Sequence, residues 1–100
     1  MSYTSKVKYI DWNTAKNEIL KVERGISFED IMDAFLGDGL IDIIEHPKPA
    51  KYLHQRMMIL NVGGYIYLVP YVEDEEKVFL KTIIPSRKAT KHYLIDLRKK

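Results

Sequence analysis

The sequence predicts an α+β domain in which a mostly antiparallel sheet of four or five strands carries two N-terminal helices and a C-terminal helix. Helix-capping signals and apolar residues at helical spacing occupy residues 13–36. From Leu40 to Ile84, short apolar runs alternate with turn residues, as in strands joined by hairpins. After Pro85, a further capping signal opens a basic amphipathic segment. We expect the helices to pack on one face of the sheet.

Length and composition indicate that residues 1–100 form a single domain. The apolar share of 46% and the charged share of 30% are those of a globular protein, which excludes a wholly disordered chain. No apolar run reaches the roughly 18–20 residues that span a bilayer, and no signal-peptide pattern is present, so we expect a cytoplasmic protein without a membrane partner. The chain has no cysteine, which excludes disulfides, Cys-ligated zinc and thiol catalysis.

The N-terminal part predicts a short strand and a helix. Residues 7–12 alternate weakly and form the first strand. Asn13 is the expected N-cap of the first helix, and Gly25 ends it because glycine tolerates the left-handed conformation. The residues expected on the core side of this helix are Ala15, Ile19, Leu20 and Val22.

The second helix is predicted over residues 28–36. Ser27 and Asp30 have the spacing of a capping box, and Ile26 and Ile31 have the spacing of a hydrophobic staple. The apolar stripe consists of Phe28, Ile31, Met32 and Phe35.

Four strands follow, and their turns fix part of their pairing. The strands are predicted at residues 40–44, 56–62, 65–72 and 77–84. Gly63-Gly64 suits a two-residue hairpin turn, so Val62 faces Tyr65 and Arg56 faces Tyr71. Pro70 lacks the N–H of a central strand residue, and we expect it at a bulge or at a non-donating position near a strand end.

The last predicted element is a helix that begins after the cap residue Ser86. Its inner face would consist of Ala89, Tyr93, Leu94 and Leu97. The last twenty residues hold seven basic side chains against the single acid Asp96, on a protein of net charge +2. Such a segment indicates contact with a polyanion or an acidic partner, although a solvated helix face is the alternative reading.

The pairing of the central strands places aromatic and basic side chains together. Tyr65, Tyr67 and Tyr71 project on the same face as Arg56. Phenol and guanidinium groups on a sheet can stack bases and neutralise phosphates. The alternative is that the tyrosines pack against the helices and Arg56 lies at the edge. The histidines do not have metal-ligand spacing, and we expect neither a metal nor another cofactor.

Three segments, taken together, resemble the signatures of the BrnT-type toxins, small ribonucleases of type II toxin–antitoxin modules with a RelE-like fold. The segments are Trp12–Lys16 (WNTAK), Glu23–Glu29 (ERGISFE) and Ile83–Thr90 (IIPSRKAT). Family members usually have Lys-His where this chain has Glu23-Arg24. The resemblance implies cleavage of RNA, growth arrest, and neutralisation by a cognate antitoxin of the ribbon-helix-helix type. It also implies contact with DNA through that antitoxin alone.

Metal-independent cleavage of RNA needs a base for the ribose 2′-OH, cations for the developing phosphorane charge and an acid for the leaving 5′-oxygen. RelE-like toxins often rely on Arg, Lys and Tyr. The candidate catalytic residues are Arg56, Lys81, Arg87 and His92. The candidate RNA-binding residues are His54, Tyr71, Lys88 and Lys91.

Two other functional classes fit the same sequence. One is a non-catalytic interaction or nucleic-acid-binding module whose basic helix holds an acidic partner. The other is a toxin that acts on a protein target such as a topoisomerase. RNA cleaved after brief induction would separate a ribonuclease from both.

Overall fold

The helices and strands follow one another in an order close to the predicted one. The computed structural model describes residues 9–48 and 55–96. The elements are β1 (Tyr9–Trp12), α1 (Thr14–Arg24), α2 (Phe28–Leu36), β2 (Leu40–Glu45), β3 (Gln55–Val62), β4 (Tyr65–Glu73), β5 (Lys77–Leu80), β6 (Ile84–Pro85) and α3 (Arg87–Thr90), which continues as a π-helical segment over Lys91–Asp96. The α+β class is confirmed. None of the helices in the described part of the chain is long and apolar enough to cross a membrane.

The sheet is mixed, with the strand order β1-β5-β4-β3-β2 and with β6 beside β4. β1 runs parallel to β5, and the other pairs are antiparallel. The strand predicted at residues 77–84 is divided, because β5 ends at Leu80 and the chain rejoins the edge of β4 at Ile84. The described sheet therefore has six strands rather than four or five.

The hairpin between β3 and β4 has the predicted register. Val62 pairs with Tyr65 and Arg56 pairs with Tyr71. Gly63 and Gly64 both have positive φ, at 63° and 90°, as a two-residue turn of this kind requires. The prediction is confirmed, and it fixes which side chains share a face along nine residues of β4.

Pro70 explains why β5 and β6 are separate strands. Its carbonyl accepts a hydrogen bond from the backbone N–H of Lys81 at 2.8 Å. Because the N–H and C=O of a strand residue point the same way, the missing N–H of Pro70 also faces Lys81. The regular pairing ends there, one residue beyond β5. Pro70 thus occupies a non-donating position at a strand end, one of the two predicted solutions.

The capping signals of both N-terminal helices are confirmed. The side chain of Asn13 accepts from the N–H of Lys16 at 2.9 Å, and Gly25 ends α1 with φ of 65°. Ser27 accepts from the N–H of Asp30, whose carboxylate accepts in turn from the N–H of Ser27. These reciprocal bonds satisfy donors that the first turn of α2 leaves without helical partners.

The predicted core face of α1 is wrong except at Leu20. Leu20 is 1% exposed and Asn17 is 3% exposed, whereas Ile19 is 49% and Val22 86% exposed. Ala15 is also exposed. The reason is a polar one: Asn17 accepts from the backbone N–H of Phe28 at 2.7 Å, which turns the Asn17–Leu20 face of α1 inward.

The core lies between the two N-terminal helices and one side of the sheet, which we call the helix side. Its buried residues are Leu20, Ile26, Phe28, Ile31, Met58, Leu60, Val69, Tyr71, Leu80 and Ile83. Met57, Ile59 and Ile66 alternate with these residues and so point to the opposite side, which we call the far side, yet they are 3% exposed or less. The sheet is therefore buried on both sides around β3, and α1 and α2 pack on the helix side.

Candidate nucleic-acid interface

Strand register separates two of the three cations predicted to hold phosphate. Arg56 pairs with Tyr71, a core residue, and so it projects on the helix side. Lys81 follows Leu80, which pairs with the same Tyr71, and so it projects on the far side. Because a period of two residues decides the face, Arg56 and Lys81 do not converge on one phosphate.

Tyr71 is a core residue. Its side chain is 4% exposed and packs with the residues of α1 and α2. Tyr67 packs against the same core, and its ring lies edge-on to Tyr65 with 5.6 Å between centroids. The alternative interpretation, in which the tyrosines pack against the helices, describes Tyr67 and Tyr71. The ring of Tyr71 is not available to stack a base in this structure.

On the far side, β5 presents a row of two lysines with an aromatic ring between them, which we call the β5 strip (Lys77, Phe79 and Lys81). The Nζ of Lys77 lies 5.9 Å and the Nζ of Lys81 5.7 Å from the centroid of the Phe79 ring. Lys77 also lies 3.5 Å from a carboxylate oxygen of Asp11 on β1. Lys81 is exposed and has no ion-pair partner among residues 9–48 and 55–96.

β1 adds a second aromatic side chain to this surface. Tyr9 pairs with Lys77 in the parallel β1–β5 ladder and is 70% exposed. The sequence analysis did not single out Tyr9, Lys77 or Phe79. A signal was present for two of them, because Lys77, Phe79 and Lys81 occupy alternate positions of a predicted strand and must share a face.

The first turn of α3 presents two more exposed cations, Arg87 and Lys88. Neither has an acidic partner within the described ranges. Lys91, in contrast, lies 3.3 Å from a carboxylate oxygen of Asp96. His92 is exposed, and its ring meets that of Tyr93 edge-on at 4.8 Å. His54 lies outside the described residues, as do Leu97 and residues 98–100.

Hydrogen bonds fix α3 to the beginning of β4. The backbone N–H of Ser86 donates to the carbonyl of Ile66 at 3.0 Å, and the hydroxyl of Thr90 accepts from the N–H of Ile66 at 2.8 Å. The Ser86 side chain caps α3 by accepting from the N–H of Ala89, as predicted. Arg87 is therefore held against the sheet, because Ser86 before it and Thr90 after it both bond to Ile66.

Lys81 and Arg87 lie along the same edge of β4. Lys81 bonds to Pro70 and Ser86 bonds to Ile66, four residues away on that strand. At about 3.3 Å per strand residue, the two backbone sites are about 13 Å apart. Between Lys77 and Asp96 the chain has five Lys or Arg residues and one acid. Lys77 and Lys91 have acidic partners in Asp11 and Asp96, so the uncompensated cations of this edge in the described residues are Lys81, Arg87 and Lys88.

Arg24 joins α1 to the same edge. Its guanidinium donates a hydrogen bond to the carbonyl of Ile83, in the segment between β5 and β6. This bond tethers the segment that follows Lys81 to the end of α1.

Acidic side chains cluster in two places, the turn at residues 73–76 directly before Lys77 and a depression beside α2. A depression of about 350 Å³ between α2 and the β3–β4 turn is lined by Asp30, Asp33 and Asp38 and by no basic residue. Such a surface repels a polyanion, so the candidate interface is the cationic edge formed by the β5 strip and α3. Within residues 9–48 and 55–96, no cluster of His, Cys, Asp and Glu side chains could hold a metal ion.

Comparison of the chain with models of protein families, with curated proteins and with solved structures finds no match.

Proposed function

We propose that this protein is the toxin of a type II toxin–antitoxin module and cleaves RNA without a metal ion. The observation that supports the proposal best is the cationic edge, where Lys81, Arg87 and Lys88 are exposed and lack acidic partners among the described residues. An uncompensated row of cations attracts the phosphate backbone of a nucleic acid. The BrnT-type segments indicate RNA as the target and a RelE-like arrangement as the finer fold.

The roles of the side chains follow from the chemistry of the reaction. Attack of a ribose 2′-oxygen on the adjacent phosphorus forms a five-coordinate phosphorane with additional negative charge. Arg87 would bind two of its oxygens through the planar guanidinium, and Lys81 would stabilise the charge of a neighbouring phosphate. His92, exposed in the segment that continues α3, is the candidate for proton transfer. Lys88 and Lys91 would bind the flanking backbone.

A second candidate function is RNA binding without cleavage. It is favoured by the position of Arg56, which projects on the helix side and so leaves fewer cations around a phosphate than a three-cation site requires. Binding would then occlude RNA or hold it for another protein, and the cationic edge would serve both functions in the same way.

Controlled expression of the full chain tests the proposed function. We expect growth arrest with RNA cleavage within minutes of induction. Losing one cation at a developing oxyanion costs about 10²–10³ in rate, so Arg87→Ala should relieve the arrest. Lys81→Ala removes a contact to a neighbouring phosphate and should weaken the arrest less. Lys21→Ala is the matched control, because Lys21 is an exposed α1 residue paired with Glu18 at 3.0 Å. Arrest without RNA cleavage would instead support a protein target such as a topoisomerase.

A further inference from the structure

We propose that Tyr9 and Phe79, together with Lys77 and Lys81, form a platform that binds two bases of single-stranded RNA. The inference depends on the proposed function for its choice of RNA as the ligand. It assigns binding to residues of β1 and β5 that the proposed chemistry does not use, apart from Lys81. We call this surface the β1–β5 platform.

The two rings lie on one side of the sheet at a spacing set by the strands. Tyr9 pairs with Lys77, and Phe79 is two residues further along β5 on the same side. Adjacent strands are about 4.8 Å apart and two residues of a strand span about 6.6 Å, so the two Cα atoms are about 8 Å apart on the diagonal. Rings at this spacing can each receive one of two neighbouring bases.

Exposure distinguishes this pair from the tyrosines of the core. Tyr9 is 70% exposed, whereas Tyr71 is 4% exposed. Phe79 is half-buried, and the ammonium groups of Lys77 and Lys81 lie over its ring as cation–π contacts. Tyr9 therefore presents its ring to solvent, whereas a base that stacks on Phe79 takes the place of one of the two ammonium groups over it.

The lysines supply the contacts that a nucleic acid needs next to its bases. Their ammonium groups lie over the Phe79 ring, 5.9 and 5.7 Å from its centroid. A base that displaces one of them from the ring leaves that ammonium group beside the base, where it can bind the adjoining phosphate. Asp11 partly compensates Lys77, and Lys81 therefore carries the stronger phosphate contact. Proteins that bind single strands usually combine aromatic side chains with cations. Their aromatic rings stack on the faces of the bases, which in a duplex are covered by the neighbouring base pairs.

The test is binding of a labelled ten-residue 2′-O-methyl oligouridylate to the full chain, measured by fluorescence anisotropy. The methyl group removes the 2′-OH nucleophile, so binding is measured without cleavage. Tyr9→Leu and Phe79→Leu should each raise Kd about five- to tenfold, the low end for loss of one stacked base. Tyr9→Phe and Phe79→Tyr keep the rings and should change Kd less than twofold. Thermal unfolding of each variant checks that it is folded.

Salt dependence tests the lysines independently. Each phosphate contact to a single strand contributes about 0.7 to the slope of log K against log salt, so Lys81→Ala should reduce that slope by about this amount. A duplex of the same length should bind more weakly than the single strand at equal salt. An acidic peptide of equal charge should compete less well than the oligonucleotide, because it has no base to stack.

Several outcomes would overturn the platform: leucine variants that bind as tightly as the ring-keeping variants, equal affinity for duplex and single strand, or equal competition by the acidic peptide. A failure of the platform can be distinguished from a failure of the proposed function. Ring-dependent binding by a protein that neither cleaves RNA nor arrests growth would support the platform and refute the ribonuclease. Cleavage that is unchanged in both leucine variants, together with unchanged binding, would refute the platform alone.

Discussion

Replacing Asn17 with leucine should destabilise the fold more than a substitution at an exposed position of the same helix. Asn17 is 3% exposed and joins α1 to the first turn of α2. Its amide oxygen accepts from the backbone N–H of Phe28 at 2.7 Å, and its Nδ2 donates to a carboxylate oxygen of Glu29 at 2.8 Å. Leucine has the same number of side-chain heavy atoms with the same branching at Cγ, so the substitution removes the hydrogen bonds without opening a cavity.

The expected loss follows from the donor that remains. The N–H of Phe28 belongs to the first turn of α2 and has no helical partner, so without Asn17 it is buried and unsatisfied. An unsatisfied buried donor costs about 1–3 kcal/mol, and we expect a loss of about 2 kcal/mol in the free energy of unfolding. For a domain of this size that corresponds to roughly 8–16 °C in Tm.

Urea and thermal unfolding of Asn17→Leu and Glu29→Ala measure the effect against a matched control. Glu29→Ala removes the exposed partner of Nδ2 but leaves the bond to Phe28, and it should destabilise the fold less than Asn17→Leu does. Equal stability of the two variants, within about 0.5 kcal/mol, would show that the Phe28 N–H finds another acceptor and would refute the reasoning.

Three further predictions concern backbone packing, acid stability and the partner. A Cβ on Gly39 would lie 2.7 Å from the carbonyl oxygen of Asn61, so Gly39→Ala should cost about 1–3 kcal/mol in an unfolding experiment, and an unchanged Tm would contradict the tight approach. The hydrogen bond from the Asn17 amide lowers the pKa of Glu29, so the contribution of Glu29 to stability is present above its unfolded pKa and is lost as the pH falls below about 4. Glu29→Gln should therefore make the stability depend less on pH in that acidic range. An unchanged pH dependence there would contradict this prediction. If an acidic or amphipathic antitoxin segment covers α3, the association rate should fall with salt and with the double change Lys88→Glu and Lys91→Glu, whereas a rate indifferent to both would exclude steering by this helix.

The parts of the fold that local rules determine were predicted correctly. The caps at Asn13, Ser27 and Ser86 and the turn at Gly63-Gly64 depend on hydrogen bonds or dihedral angles within a few residues, and all appear as expected. The hairpin register followed from the turn alone. These features need no information about distant parts of the chain.

The orientation of α1 was not predictable by the same means. Apolar periodicity favoured the face of Ile19 and Val22, but the buried face is the one that carries Asn17, because its amide completes the start of α2. The parallel pairing of β1 with β5 likewise joins segments more than sixty residues apart. A pattern of apolar residues predicts neither a hydrogen bond between polar groups nor the pairing of strands that are far apart in sequence.

The candidate site was predicted in part. Lys81, Arg87 and Lys88 lie along one exposed edge, but Arg56 faces the other side of the sheet and Tyr71 is buried. The register that was predicted for the hairpin already placed Arg56 and Tyr71 on one face. What the sequence did not provide was which face α1 and α2 would cover.

Incubation of the purified chain with a single-stranded RNA in the presence of EDTA tests the central claim most directly. The account predicts cleavage that persists in EDTA, leaves 2′,3′-cyclic phosphate ends as attack by the 2′-oxygen requires, and falls about 10²–10³-fold in Arg87→Ala but not in Lys21→Ala. RNA that remains intact with the folded wild-type protein, or cleavage that EDTA abolishes, would contradict it.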